Sequence, residues 1–265
     1  MMCGVSTGRF YDGLAATYHA LYPDWEKEIR DQARALSKLL GSPPPGSAIA
    51  DVACGIGTQL LGLAEAGYDV FGSDLSRAAV HRAQAECVKR GLVAHVVVAD
   101  MRALPWPDAS MDAAICADNG LPHLLTDDEV TSAFDELRRV LRPGARLAVT
   151  IRDYDAALRK RPVSTAPQMM DSPGPGRIIT FQLWTWRGAS DVYDLEHFQL
   201  TSDDNGGWKT SRRSASYRAY SRAHLLELAS RAGLARAHWL TPHRAGYFQP
   251  VMIAARPNRD TPHHT

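Results

Sequence analysis

A chain of 265 residues, 45% hydrophobic, with 30 Lys and Arg against 29 Asp and Glu, can bury one substantial core and has no charge excess with which to track a nucleic acid or an acidic surface. It contains no apolar run long enough to span a bilayer, no N-terminal stretch of the kind a secretory leader carries, and no internal repeat. The 4 cysteines (Cys3, Cys54, Cys87, Cys116) form no paired framework, and the 10 histidines do not join them at zinc-binding spacing, so a reducing, cytoplasmic protein without a metal is expected.

Residues 1–9 read as a loose tail. Residues 10–25 are unusually aromatic, and Tyr11, Tyr18 and Trp25 fit two readings: an apolar staple for the helix that follows, or a lid whose ring faces suit a cationic centre. Over 26–40, Ile29, Ala33, Leu36, Leu39 and Leu40 recur with helical period, and Pro43-Pro44-Pro45-Gly46 makes a stiff connector. The organising stretch follows. A short apolar run from Ile49 ends at Asp51, and Gly55 and Gly57 lie one residue apart before a helical pattern begins at Leu60. Without a β-carbon, those glycines let the backbone turn at positive φ and approach a ligand closely. A dinucleotide fingerprint would need a third glycine where Leu60 stands, and an acid at the strand end suits a cation or a hydroxyl better than a pyrophosphate.

A second apolar run over 68–74 ends in Asp74, which in a strand–helix–strand unit lies where a ribose diol is held. Ser76 reads as the N-cap of a helix to about Arg90, closed by Gly91. A third strand over 94–99 ends in Asp100-Met101, a loop over 104–108 follows, and 111–117 is a fourth strand. Thr126 with Glu129 marks a helix start; that helix is expected to end at Arg142-Pro143-Gly144, ahead of a fifth strand over 145–151. Strand and helix alternate through 151, which predicts an α/β fold with a parallel sheet covered by helices.

Residues 153–216 break the alternation. Strand-like patterns at 177–186 and 191–201, with a Gly-rich turn at 205–207, predict a small antiparallel cap over the carboxyl edge of the sheet. Its aromatics, Phe181, Trp184, Trp186, Tyr193 and Phe198, either line a pocket or form the insertion's own core, the second fate being expected for at least half of them. Ser221 caps a last helix over 224–232, ended by Gly233, and 234–241 and 247–255 form a final strand pair. The division is then a lid segment and helix (1–45), a main domain (46–152 and 217–256), the cap (153–216) and a polar tail (257–265).

Three strands ending in acids are hard to explain as surface decoration. Asp51-Val-Ala-Cys-Gly-Ile-Gly, Asp74 and Asp100-Met101 together resemble the class I S-adenosylmethionine-dependent methyltransferases. The resemblance implies a Rossmann-like fold with a mostly parallel seven-stranded sheet and helices on both faces, plus the cap after the fifth strand. It implies S-adenosyl-L-methionine as cofactor and a small-molecule substrate, with no nucleic-acid or membrane partner; self-association into a homo-oligomer stays open. The implied cofactor site takes Tyr11, Tyr18, Trp25 and Arg30 from the N-terminal segment and helix, and Asp51, Ala53, Gly55 and Gly57 from the first turn. Asp74 and Leu75 would serve the ribose, Asp100 and Met101 the adenine, with Ala117 at the end of the fourth strand.

Within that class, residues 10–155 are similar to the glycine and glycine/sarcosine N-methyltransferases. The similarity is carried by Cys116-Ala-Asp-Asn-Gly-Leu-Pro-His-Leu, Ile151-Arg-Asp-Tyr-Asp and Tyr11-Asp-Gly with Tyr18. It implies that Asn119 and Arg152 hold an amino-acid substrate, the arginine by its carboxylate, and that Tyr217 joins them. Asp118 and Asp153 stand where the relatives carry glycine and asparagine, which points away from glycine itself. Another amine, or a hydroxyl or carbon centre of a larger metabolite, remains open as acceptor. Arg152 has a second reading, a surface pair with Asp153 or Asp155. Methyl transfer asks for alignment rather than covalent help, and only a hydroxyl acceptor would need a base. His123 is the first candidate for one, ahead of Glu196 and His197, against the reading that it merely orders the turn before Thr126; no base is assigned. A nucleotide-dependent oxidoreductase and a non-catalytic cofactor-binding subunit are the alternatives outside this class. Leu60 and the acid-rich turn speak against the first, and intact motif residues against the second.

Overall fold

The computed structural model describes residues 7–171, 176–203 and 207–258. Helix α1 (Thr7–Leu14) opens it, so residues 7–9 are helical and not part of a loose tail: α1 buries Phe10 and Leu14 against the main core. A 3-10 turn over Tyr18–Leu21 leads to α2 (Trp25–Leu39), whose first turn is capped by the Asp24 carboxylate accepting from the Lys27 N–H. Then β1 (Ala48–Val52), α3 (Thr58–Glu65), β2 (Asp69–Asp74), α4 (Arg77–Arg90), β3 (Ala94–Val98), β4 (Met111–Cys116), α5 (Asp127–Val140) and β5 (Leu141–Thr150) alternate. Ser76 caps α4 and Gly91 ends it, while Thr126 and Glu129 form a complete capping box on α5. Helix α5 stops at Val140, earlier than Arg142-Pro143-Gly144. The reason is that Leu141 is already buried opposite Met111, and Pro143-Gly144 fall where the β4–β5 register shifts, a place where a missing N–H is tolerated.

Past β5 come α6 (Tyr154–Lys160), β6 (Gln168–Asp171), β7 (Arg177–Trp186), β8 (Val192–Ser202), β9 (Trp208–Arg218), α7 (Arg222–Arg231), β10 (Ala235–Leu240), α8 (Pro242–Ala245) and β11 (Val251–Ala255). Seven strands form one sheet in the order β10-β11-β5-β4-β1-β2-β3, with β11 antiparallel to both its neighbours. Strands β6-β7-β8-β9 form a separate antiparallel sheet, the cap. Its last strand runs to Arg218, so Tyr217 belongs to the cap. The turn expected at 205–207 lies mostly outside the described residues, as does the tail from 259 onward.

Alternate residues of the central strands feed two cores. Ile49, Ala113 and Ile115 pack with α2, α3 and α4, whereas Ala50, Val52, Ala114 and Cys116 pack with α5 and α7. The second core continues into the cap through Trp184, Tyr193, Leu195 and Ala215, so the cap is seated on the main sheet's own apolar cluster. Trp184 and Tyr193 stack on that inner side at 4.4 Å, while Phe181 and Phe198 stack with each other at 5.0 Å.

Helix α3 packs unusually close to its neighbours. Leu60 is fully buried, and a Cβ at Gly72 on β2 would collide with its Cδ1. The room that a third glycine on the helix would give is thus provided by a glycine on the strand. On the other side, a Cβ at Gly62 would run into the Ile29 carbonyl oxygen and lie 2.6 Å from the Ala33 Cβ. Helix propensity alone would favour alanine at 62 by about 1 kcal/mol. The collision reverses the sign: Gly62→Ala should destabilise the fold by about 1–3 kcal/mol, read as a lowered Tm in thermal denaturation.

Candidate active site

At the carboxyl edge of the main sheet, β1 leaves through Ala53 (φ 65°) into Gly55 (φ 55°) and Gly57 (φ 94°), the residue that precedes α3. A left-handed alanine is strained by about 1 kcal/mol or more. Its methyl group sits 2.8 Å from where a Cβ on Gly120 would be, so the β1 and β4 loops touch at this point and only glycine fits at 120. Beside that contact opens a cavity of about 440 Å³. Tyr11 and Tyr18 line it from the N-terminal segment, Ala53 and Gly55 from the turn, Asp74 and Leu75 from the end of β2. Asp100, Met101 and Ala117 complete it.

Four residues expected at this cavity do not line it: Trp25, Arg30, Asp51 and Gly57. Trp25 opens α2, donates its indole N–H to Thr58 Oγ1 at 2.9 Å, and is flanked by the guanidinium groups of Arg82 and Arg90 at 5.8 and 5.6 Å. It staples the lid's exit to α3. Arg30 is exposed, because it follows Ile29 by one residue and so turns about 100° off the buried stripe of α2. Asp51 is fully buried behind the turn and makes no hydrogen bond to a described residue through either carboxylate oxygen.

Burial raises the carboxyls of Asp51, Asp74 and Asp118 above the ordinary range, and Asp51 is raised further by repulsion from the other two. Asp74 is positioned by the backbone: Gly55 N–H donates to one oxygen at 2.9 Å and Ser76 N–H to the other at 2.8 Å, leaving a second lone pair on each. Asp118, at φ 53°, accepts from the hydroxyls of Tyr22 and Tyr247 at 2.7 and 2.6 Å. The cationic residue lining the cavity is Arg102, whose guanidinium is taken by Asp100 and Glu129, each at 2.6 Å. Arg102 holds the Asp100 carboxyl low. The dry carboxyls of Asp74 and Asp118, with that of Asp51 behind them, a glycine turn and an aromatic lid fit S-adenosylmethionine, which brings a ribose diol and whose sulfonium and ammonium outweigh its one carboxylate. Asp74 would hold the diol, and Tyr11 and Tyr18 would flank the sulfonium.

A larger cavity of about 980 Å³ lies between the N-terminal segment and the cap, and Tyr11, Tyr18, Tyr22 and Asp118 line both cavities. Arg152 enters it from the end of β5. Its guanidinium stacks over the Trp184 ring at 5.2 Å, and its buried Nη1 has no hydrogen-bond partner among the described residues. The alternative surface pairing does not form. Asp153 caps α6 through the Ala156 N–H, and Asp155 pairs with Arg222.

Asn119 lines the same cavity, but its side chain is largely committed. Oδ1 accepts from the Arg152 N–H at 3.1 Å and Nδ2 donates to the Tyr154 hydroxyl at 3.0 Å. The Tyr11 hydroxyl lies 2.8 Å from His123 Nε2 and 3.3 Å from the Tyr217 hydroxyl. His123 is held down to about 3 by burial and by the Arg152 charge, so it is neutral. Glu196 pairs with Arg212 on the cap, whereas His197 is buried and lines the larger cavity. Tyr22 and Tyr247, the two partners of Asp118, escaped the sequence reading. Tyr22 lies in the aromatic segment already singled out, but nothing local marks Tyr247, which meets Asp118 across 129 residues.

A family described as a methyltransferase domain matches residues 49–144. A putative methyltransferase, YqeM, of Bacillus subtilis is 33% identical over 208 residues, which cover 72% of this chain and 80% of that protein. A glycine/sarcosine N-methyltransferase of Halorhodospira halochloris is 28% identical over 156 residues, with 57% of this chain and 56% of that protein covered. Among solved structures, the sugar N-methyltransferase KedS8 from a Streptoalloteichus species superposes with a TM-score of 0.70 at 20% identity, over 97% of this chain and 96% of that one, a likeness of fold.

Two outcomes test the cofactor cavity. Asp74→Ala should weaken S-adenosylmethionine binding by about 2–4 kcal/mol in calorimetry, the value of two overlapping hydrogen bonds to a charge. Affinity for a cationic ligand is complete while the raised carboxyls are ionised and is lost as pH falls through their pKa values. S-adenosylmethionine binding should therefore weaken on acidification before the ordinary carboxylate range is reached, and S-adenosylhomocysteine, which lacks the sulfonium, should show less dependence.

Proposed function

The chain belongs to the class I S-adenosylmethionine-dependent methyltransferases, and on that premise we propose that it methylates the amine of a small molecule that carries a carboxylate, an amino acid or a close relative. One observation carries the reading: Arg152 brings a half-buried guanidinium into the larger cavity, and its buried Nη1 has no hydrogen-bond partner among the described residues. A guanidinium is charged at every working pH and offers a two-pronged fork, so one with a buried, unpartnered prong is a natural seat for an anion. Tyr11 and Tyr18 line both cavities, which supports an acceptor bound next to the cofactor.

Bound S-adenosylmethionine supplies an already activated methyl group. What the chain adds is alignment and exclusion of water. Arg152 would fix the carboxylate, and Asn119 holds the Arg152 backbone in place. Tyr11 keeps its proton, since burial raises its pKa, and its hydroxyl shares hydrogen bonds with His123 and Tyr217 beside the acceptor's place. His123, held at about 3, cannot store a proton near neutrality. That favours an amine, which can arrive uncharged, over a hydroxyl, which would need a base.

A screen of amino acids against their methyl esters and decarboxylated amines, read by release of S-adenosylhomocysteine, tests this directly. Arg152→Ala should lower kcat/KM for the carboxylate substrate by about 30-fold to several thousand-fold, the loss of a buried charge partner worth about 2–5 kcal/mol. Cofactor affinity should stay nearly unchanged, and Arg152→Lys should recover only part of the activity. Esters methylated as readily as acids would remove the carboxylate from the reading.

A further inference from the structure

We propose that His197 is a second anchor for the substrate, a hydrogen-bond partner for a polar group at the far end of an aromatic or similarly long amino acid. This rests on the reading of Arg152 as the seat of the carboxylate. His197 lies on β8, an interior strand of the cap, and is 2% exposed. In register it faces Gln182 on β7 and Arg213 on β9. Neither satisfies it. Gln182 accepts from the Trp184 indole at 3.3 Å and Arg213 donates to Ser211 at 3.2 Å, while His197 Nε2 has no hydrogen-bond partner among the described residues. A buried polar nitrogen left alone costs about 1–3 kcal/mol, and a leucine occupies the next inward position on the same strand, Leu195. Packing does not ask for histidine here; a ligand would.

The spacing gives the ligand its length. Arg152 stacks on Trp184, and Gln182, the cross-strand partner of His197, is the next residue on the same face of β7. Two residues along a strand span about 7 Å. A ligand that meets both anchors therefore carries a carboxylate at one end and a hydroxyl or carbonyl roughly that far away. The cavity has the matching size: about 980 Å³, at the upper end of the roughly 300–1,000 Å³ that hold drug-sized molecules, and far more than glycine would fill. Trp184, with Leu14 and Leu21 from the N-terminal segment, supplies apolar lining for the body in between.

The test uses the full chain saturated with S-adenosylhomocysteine, with glycine, L-phenylalanine, L-tyrosine and tyramine titrated by calorimetry. L-tyrosine should bind at least tenfold more tightly than glycine. His197→Ala should weaken L-tyrosine at least tenfold and L-phenylalanine less than twofold, and His197→Gln should recover part of the loss. Unchanged S-adenosylhomocysteine affinity and Tm in both variants would exclude a folding defect as the cause. Glycine binding as tightly as L-tyrosine, L-tyrosine binding indifferent to His197→Ala, or no binding by any of the four overturns the proposal. Tyramine separates the two claims. If it binds as well as L-tyrosine and His197→Ala weakens it, His197 stands and the carboxylate reading of Arg152 falls. If L-tyrosine binding needs Arg152 and ignores His197, the reverse holds.

Discussion

Three carboxyl groups kept dry at one end of a parallel sheet set the terms for everything around them. Each pays a desolvation penalty, and the chain meets it differently at each position. Asp74 takes two backbone N–H groups, one from the glycine turn and one from the start of α4. Asp118 takes two tyrosine hydroxyls, from the lid and from the loop before β11. Asp51 has no hydrogen-bond partner on either carboxylate oxygen among the described residues. The consequence reaches beyond the cavity. Because Tyr22 lies in the lid and Tyr247 just before β11, Asp118 ties both of these segments to the cofactor side of the site. The conformation that Asp118 and Asn119 need for this is left-handed at both residues, at φ 53° and 70°, a cost that a rigid surrounding must sustain.

The cap is held by a different device. Asn119 donates to Tyr154, and the Tyr154 hydroxyl lies 2.9 Å from that of Tyr193 on β8. Tyr193 in turn stacks between Trp184 and Tyr217, at 4.4 and 5.5 Å. One chain of contacts thus runs from the loop after β4, through α6, into the inner face of the cap. A buried polar chain of this kind specifies position because each member would be costly to leave unpaired. Arg152 rests against Trp184 at the end of it, so the guanidinium is placed by the cap as much as by β5.

What the residues disclosed in advance was what is encoded locally. Strand ends in acids, the Ser76 and Thr126 caps and the two glycines are short-range signals, and each is found where its spacing put it. Signals that depend on distant partners were lost. Gly72 gives no hint in sequence that it makes room for Leu60, and Tyr247 none that it meets Asp118. Asp153-Tyr154 read as the end of a substrate motif, which hid that Asp153 also caps a helix. Trp25 carried two readings, and its indole bond to Thr58 together with its place outside the cavity lining fits the structural one. The cap aromatics divided as well: Trp184 and Tyr193 went to the core, while Phe181 and Phe198 form a pair of their own.

On the proposed reading, the two cavities differ in their charged groups. Asp74 and Asp100 line the cofactor side alone and Arg152 the substrate side alone, while Asp118 lines both and Glu28 and Asp153 also line the larger cavity. S-adenosylmethionine, whose two cationic groups outweigh its one carboxylate, meets Asp74 and Asp118 as a net cation, and a cation placed against Arg152 would meet a like charge. Each ligand is therefore steered by what repels it as well as by what holds it, which is how a site discriminates when apolar contacts cannot. The same arrangement bears on turnover. Methyl transfer removes the positive charge from sulfur, so the acids hold the product less firmly than the cofactor, which favours exchange of one for the other. Tyr11, neutral and lining both cavities, can sit at that boundary because it adds no charge to either side.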